Sequence, residues 1–445
     1  MHIIIIGAGK VGYTLAEKLS NEQHNIFLID NNEERLETIG ENLDISTIIG
    51  SGGNLNTLRE AGVERADLLL AVTNFEEINI LASFLGKQVG VNRVVARVSS
   101  PEYVENGKLD YSSFPIDLMI NPELVTAESI LKLIRVPEAL NVEYFASRRI
   151  QLLELCVDKD SPIVGRTLHE LDFENSYLIV ALMRNGKIVI PHGKDRIEEN
   201  DLIFVMAKTE EMISVEEFLG KKRKKVKEVT ILGGGNLGYQ LARLLERRDY
   251  NIKLIEKDLQ RCHLLSEKLD KTQIINGDGT DLNLLESEDI ASADILAVMT
   301  GDDKANILVS LLAKHLGVSR TVSQLRRSDY IPLVEKLGID IAVSPRILTA
   351  GAIMKYIRRG KILSVTFLEG DRAEVLELIA PSRGKIINTP LKNLKLPRGM
   401  IVGAVCRNDE VIVPGGDDYI GPGDLVIVFA LPHAIHQVEN IFDGR

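Results

Sequence analysis

Few residues of this chain have the type and spacing to do chemistry, and the densest group stands at its start. Gly7-Ala8-Gly9-Lys10-Val11-Gly12 reads GxGxxG. Backbone N–H groups displayed by such a turn hold an anion, and each glycine has its own duty. Gly7 permits the tight turn, Gly9 lets a pyrophosphate come close, and Gly12 lets a helix pack against a strand. A ribose-binding carboxylate belongs roughly 20 residues further on, and Asp30 stands near that place. The pattern points to dinucleotide binding, against the plainer alternative of a turn kept for packing alone. Other reactive groups are scattered. Cys156, Cys262 and Cys406 have no CxxC partner and read as thiols of a reduced, intracellular protein. Cys262 and His263 are adjacent on a helix, so their side chains diverge and make no metal site. Asp158, Asp160, Asp417 and Asp418 read as solvated acidic loops rather than cation ligands.

The elements that position the glycine turn follow from pattern. Ile3–Ile6 are four β-branched residues, suited to a strand covered on both faces. Beyond the turn, Val11, Leu15 and Leu19 share one helical face. Further strands are expected at Asn25–Asp30, Ile45–Ile49, Leu68–Val72, Arg93–Arg97 and Asp117–Ile120, with helices beginning near Asn32, Asn54 and Glu76. Strands alternating with helices through short connections give a parallel sheet covered on both faces, so the fold class is α/β and doubly wound. The ligand then lies beyond the carboxyl ends of the strands. Asn121-Pro122 opens a helix to about Arg135, apolar on two sides, which reads as a packing helix or as one that crosses to a partner.

The whole arrangement occurs twice. Val229–Gly238 reads VTILGGGNLG, and Glu256 takes the place of Asp30. Gly277-Asp278-Gly279 repeats Gly50-Ser51-Gly52, and Asn306, Arg320 and Tyr330 repeat Asn79, Arg93 and Tyr103. Ser344-Pro345 through Arg358 repeats the Pro122 helix. After each copy comes a small β-rich α+β unit. Its hairpin signals are Arg184-Asn185-Gly186 in the first and Arg407-Asn408-Asp409 in the second. The expected division is two Rossmann-like domains at 1–137 and 228–359, small domains at 138–220 and 360–445, and a basic linker at 221–227. The linker reads as solvated, or as an electrostatic contact with anionic lipid or an acidic partner. A net charge of -11 argues against a nucleic-acid partner held by phosphate neutralisation. Apolar runs such as Leu68–Val72 are too short to span a bilayer, and Met1 leads straight into a core strand with no signal peptide.

GxGxxG fold, small β-rich domain, basic linker, and both again: this order resembles the Trk potassium-uptake regulatory proteins, built from two tandem domains of the type that regulates potassium conductance. The resemblance covers essentially the whole chain, and its marks are the Gly7–Gly12 turn, Asp30, Ala66-Asp67 through Thr73, Asn79, Arg97 and their counterparts. It implies a cytosolic, non-enzymatic subunit that assembles as a dimer or tetramer on a potassium-translocating membrane protein. Such a subunit gates its partner on binding NAD(H) or adenine nucleotides such as ATP and ADP. Carried over residue by residue, Gly7–Val11 would cradle the pyrophosphate and Asp30 the adenosine ribose. Thr73 and Asn74 would line the ligand's second half, and Arg97 would reach the nucleotide. In the second copy Gly233, Gly234, Gly235, Asn236, Leu237, Gly238, Glu256, Asp278 and Thr300 would take the same roles.

Two departures set the copies apart. Ser51 stands where Asp278 keeps an acid, and Gln324 replaces the arginine matching Arg97. The first half is therefore expected to be the stronger NAD(H) site. The rival class is an NAD-dependent dehydrogenase with a duplicated nucleotide domain, since fold alone does not decide function. It would need a proton donor beside the hydride. His169 and His192 fall in the first small unit with no carboxylate orienter nearby in sequence.

Overall fold

A computed structural model of the chain describes residues 1–22, 24–100, 115–171, 177–357, 362–368, 372–408 and 410–442. Tyr103, Arg358 and Asp409, three residues of the sequence reading, lie outside that set.

The first half opens with strand β1 (His2–Ile6), helix α1 (Lys10–Asn21), β2 (Asn25–Asp30), α2 (Glu33–Asn42) and β3 (Ser46–Ile49). It continues through α3 (Leu55–Glu60), β4 (Leu68–Ala71), α4 (Glu76–Val89), β5 (Arg93–Arg97), β6 (Leu118–Ile120) and α5 (Pro122–Arg135). The six strands form one parallel sheet in the order β3-β2-β1-β4-β5-β6. Ile3, Ile4 and Ile5 are fully buried, as a central strand covered on both faces requires. The order reverses between β1 and β4, so a crevice opens at their carboxyl ends, above Gly7 and Thr73.

The first small domain holds β7 (Asn141–Phe145), β8 (Ile150–Cys156), β9 (Tyr177–Arg184), β10 (Lys187–Val189), β11 (Leu202–Lys208) and α6 (Met212–Phe218). They make an antiparallel sheet in the order β10-β9-β11-β8-β7. The hairpin turn expected at Asn185-Gly186 is present, with φ of 51° and 73°, the left-handed pair that matches strand twist.

The second half repeats this with β12 (Glu228–Leu232), α7 (Asn236–Glu246), β13 (Asn251–Glu256), α8 (Leu259–Lys268), β14 (Thr272–Asn276), α9 (Leu282–Ser287) and β15 (Ile295–Val298). Then follow α10 (Asp303–Leu316), β16 (Arg320–Gln324), α11 (Ile331–Lys336), β17 (Ile341–Val343) and α12 (Pro345–Ile357). Its parallel sheet runs β14-β13-β12-β15-β16-β17, the same order as in the first half. The second small domain is β18 (Ile362–Leu368), β19 (Ala373–Ile379), β20 (Met400–Arg407), β21 (Glu410–Ile412), β22 (Leu425–Ala430) and α13 (Ile435–Phe442).

The two halves exchange their terminal helices. Helix α5 leaves the first sheet and packs along α7, and α12 leaves the second sheet and packs along α1. Ile130 and Ile134 therefore share a core with Leu237, Leu241 and Leu245. Ile353 and Met354 share one with Val11, Leu15 and Leu19. This explains the apolar stripes on two sides of α5: one meets the other half and one meets α12. Full burial of an Ile or Met stabilises by about 1.5–3 kcal/mol, so each helix fastens one half to the other. Arg93 and Arg320, matched in sequence, close the exchange reciprocally. Arg93 Nη1 donates to the Ile357 carbonyl at 2.6 Å, at the end of α12, and Arg320 Nη2 donates to the Ala139 carbonyl at 2.5 Å, just past α5.

The small sheets pack face to face through Phe204 and Phe429, whose ring centroids are 6.0 Å apart. The basic linker is only partly solvated. Lys221 is buried and donates to Asp158 at 2.5 Å, Arg223 pairs with the buried Glu216, and Val226 joins the core. Burial pushes the Glu216 carboxyl up, and the Arg223 guanidinium opposes it. Lys222, Lys224 and Lys225 remain exposed.

Candidate functional site

At the crevice the glycines behave as their spacing requires. Gly7 has φ of +104°, and a Cβ there would sit 3.0 Å from the Thr73 backbone. A Cβ on Gly12 would fall 1.8 Å from the Gly7 carbonyl oxygen, so only glycine lets α1 approach β1 this closely. A Cβ on Gly9 would meet no protein atom within 4 Å; the space it faces is open. Gly9 precedes the first turn of α1, offers no side-chain cap, and no acidic residue stands in that turn. The first N–H groups of the helix are left to an outside acceptor.

Asp30 ends β2 beneath the turn. Its Oδ2 accepts from the Ala8 N–H at 2.6 Å and its Oδ1 from the Asn32 N–H at 2.9 Å. Across the switch point, buried Asn79 ties two loops together. Its Oδ1 accepts from the Thr73 N–H at 2.9 Å and the Thr73 hydroxyl at 2.7 Å. Its Nδ2 donates to the carbonyls of Thr73 at 3.0 Å and Arg97 at 2.8 Å. That network aims Arg97, whose Nη1 donates to Asn74 Oδ1 at 2.9 Å.

These residues line one open cleft of about 1530 Å³. Gly7, Ala8, Gly9, Lys10, Val11 and Asp30 form one wall, and Thr73, Asn74 and Arg97 form another. Gly12 does not face the cleft; its duty is packing. The third wall comes from the second half, through Arg326, Asp329 and Arg346. The exchange of helices brings them there, and no local pattern announces it. The cleft also reaches Leu237, at the start of α7.

The second copy builds the same cradle. Gly233 has φ of +103°, and a Cβ on Gly238 would fall 1.9 Å from the Gly233 carbonyl oxygen. Gly235 faces open space, and Asn236 and Leu237 begin α7. Glu256 Oε2 accepts from the Gly234 N–H at 2.7 Å and its Oε1 from the Asp258 N–H at 2.9 Å. Asn306 repeats Asn79, taking the Thr300 N–H at 3.1 Å and giving Nδ2 to Gln324 O at 2.9 Å. The surroundings differ. Arg261 Nε donates to the Gly234 carbonyl at 2.8 Å, where its counterpart Arg35 reaches only to 4.0 Å of Asp30. Gln324 is nearly buried and brings no charge. Asp278 turns back on its own loop: the Thr280 N–H at 2.9 Å and hydroxyl at 2.8 Å hold its carboxyl below the usual range.

The two histidines considered for a dehydrogenase lie away from the cleft. His169 and His192 are exposed in the first small domain, against one loop at Gly193, and neither lines the cleft. Among the acidic loops, Asp158 pairs with Lys221 and Asp417 with Lys392, while Asp418 accepts from the Gly415 N–H at 2.8 Å. Burial pushes the thiols of Cys156, Cys262 and Cys406 up.

Known protein families match both halves of the chain. Residues 3–122 and 229–345 match the TrkA-N domain family, and residues 152–220 and 375–443 match the TrkA-C domain family. The chain is 36% identical to "Trk system potassium uptake protein TrkA homolog 2" of Methanosarcina mazei, over 99% of this chain and 100% of that one. It is also 36% identical to "Trk system potassium uptake protein TrkA" of Halomonas elongata, over 99% and 98%. Among solved structures, the RCK domain of GsuK shares the fold with a TM-score of 0.63 at 17% identity, covering 100% of this chain and 95% of that one. The GsuK channel bound to NAD does so with a TM-score of 0.64 at 18%, covering 100% and 79%. With both of its Rossmann-like copies and both of its small domains matched, the chain belongs to the TrkA family of Trk system potassium uptake proteins.

Proposed function

We propose that this chain is a nucleotide-responsive regulatory subunit that gates a potassium-translocating membrane protein. The observation that carries the reading is the cradle at Gly7–Lys10. Its helix start is uncapped, Gly9 faces open space, and Asp30 is held in place beneath it inside a large cleft. These features fit NAD(H) or an adenine nucleotide. The N–H groups of Gly9, Lys10 and Val11 would hold a pyrophosphate. Asp30, each of whose oxygens takes one backbone N–H and keeps a further lone pair, would accept from ribose hydroxyls, and Arg97 would approach the ligand's far end from β5. The second copy would take a nucleotide less tightly, because Gln324 supplies no cation and Arg261 is tied to the Gly234 carbonyl.

Regulation then rests on differential affinity, without turnover. The cleft is walled by both halves, so a ligand that fits one relative arrangement better shifts the population toward it. Helices α5 and α12 carry that change, since each is part of the other half's core. Among the described residues no helix is long and apolar enough to cross a membrane. The subunit would be held at the cytoplasmic face by its partner and by further copies of itself. The test is affinity capture of the tagged chain from detergent-solubilised membranes of its own organism, with and without NADH. The reading requires that a potassium-translocating subunit co-elutes and that nucleotide alters the complex or its flux. Co-elution of no membrane protein, with NADH oxidised alongside a metabolite, would replace it by the dehydrogenase.

A further inference from the structure

One charged group in the cleft has no part in the cradle's own half. Arg346 is the second residue of α12, contributed by the second copy, and it lies against α1 of the first. Its Nε donates to Thr14 Oγ1 at 2.8 Å. The Thr14 hydroxyl in turn donates to the Lys10 carbonyl at 3.0 Å, one turn into α1. A relay of two hydrogen bonds thus fixes the guanidinium beside the first turn of the helix. Among the described residues this is its one hydrogen bond, and no carboxylate lies within ion-pair distance. Asp329 is in the same cleft but pairs with Arg327 at 3.2 Å. The remaining four N–H donors of Arg346 form a fork with no protein acceptor, on a side chain that lines the cleft.

We propose that Arg346 completes the first nucleotide site from the opposite half, as the bidentate ligand of a terminal phosphate. This rests on the nucleotide reading above and adds to it a ligand preference. The phosphates of NAD are internal, and a glycine turn with its helix start satisfies them. ADP and ATP end in a phosphate with no sugar beyond it, more highly charged and with three free oxygens. Guanidinium geometry matches such a group, and a fork held by a relay loses little freedom on binding it. The contact also crosses between halves. Ile353 and Met354 of the same helix lie in the first half's core, so a phosphate held by Arg346 pulls on the exchange itself. The counterpart of Arg346 is Glu123 at the start of α5, which lines the same cleft and keeps one buried carboxylate oxygen with no partner, so the guanidinium and not the carboxylate must meet a terminal phosphate.

The test compares ATP, ADP and adenosine in competition with a fluorescent ADP analogue on the full chain, for the parent, Arg346→Gln and Arg346→Lys. Arg346→Gln is expected to weaken ATP and ADP about ten- to a hundred-fold while leaving adenosine within about twofold. Arg346→Lys, which keeps the charge but not the fork, should recover part of the loss. Equal weakening of ATP and adenosine means that Arg346 only holds the two halves together, and unchanged ATP means that it does not reach the phosphate; either overturns the proposal. If the parent binds no nucleotide, the nucleotide reading itself falls and this one with it.

Discussion

The two glycine turns of this chain share their own geometry and differ in the charged side chains around them. Both helix-packing glycines sit so close to the first glycine's carbonyl that a Cβ would lie 1.8 Å away at Gly12 and 1.9 Å away at Gly238. Both carboxylates hold the next N–H, Asp30 at 2.6 Å and Glu256 at 2.7 Å. Yet the first turn opens on a cleft lined by Arg97 and Arg346, while Arg261 bonds back to the Gly234 carbonyl of the second and an uncharged Gln324 stands at the position of Arg97. Duplication has kept the backbone that a Rossmann fold cannot vary and changed the charges that a ligand reads.

The largest effects should therefore be equal in the two halves. Gly12→Ala and Gly238→Ala each force a methyl into a carbonyl, and each is expected to destabilise its own half by about 3 kcal/mol or more. Denaturant unfolding of the two variants checks this, and a large loss in only one would show that the cradles are not equivalent. Next come Asn79→Ala and Asn306→Ala. Each strips buried hydrogen bonds from two loops, at a cost of about 2–4 kcal/mol, and the two should agree within about 1 kcal/mol.

The site itself should show the difference. Arg97→Gln makes the first cleft like the second at that position, and is expected to weaken nucleotide binding about tenfold, roughly 1.4 kcal/mol. Gln324→Arg is not expected to return the gain in full, since Arg261 still bonds to the Gly234 carbonyl. Titration calorimetry of the pair reads both. The smallest effect is a pH dependence. Asp278 has its carboxyl lowered by Thr280, so its contribution is present above its ordinary value of 3.8 and is lost as pH falls through the lower folded value. Ser51 has no such group, so Asp278→Asn should flatten the acid limb of second-half unfolding and leave the first half's unchanged.

Much of this was legible in the sequence, because local chemistry fixes it. Gly7, Gly9, Gly12 and Asp30 are dictated by one turn and one strand, and the repeat doubled the information by showing which of their neighbours recur. Asn79 was visible only as a recurring residue; its role in joining the Thr73 and Arg97 loops needs the sheet. The exchange of α5 and α12 was half visible. Two apolar sides implied two partners, but nothing in periodicity says that they belong to the other half. Arg326 and Arg346 stayed hidden for the same reason, being distant in sequence from every residue they face. The linker misled in part, since Lys221 and Arg223 find buried or acidic partners that composition does not reveal.

The central claim is that two copies of one cradle form two unequal sites. Calorimetric titration of the full chain with ADP tests it most directly, repeated on Arg97→Gln. The account predicts one tight event per chain, well separated from any second, and abolished or weakened about tenfold by the substitution. Two identical events per chain, or a tight event that Arg97→Gln leaves untouched, would contradict it.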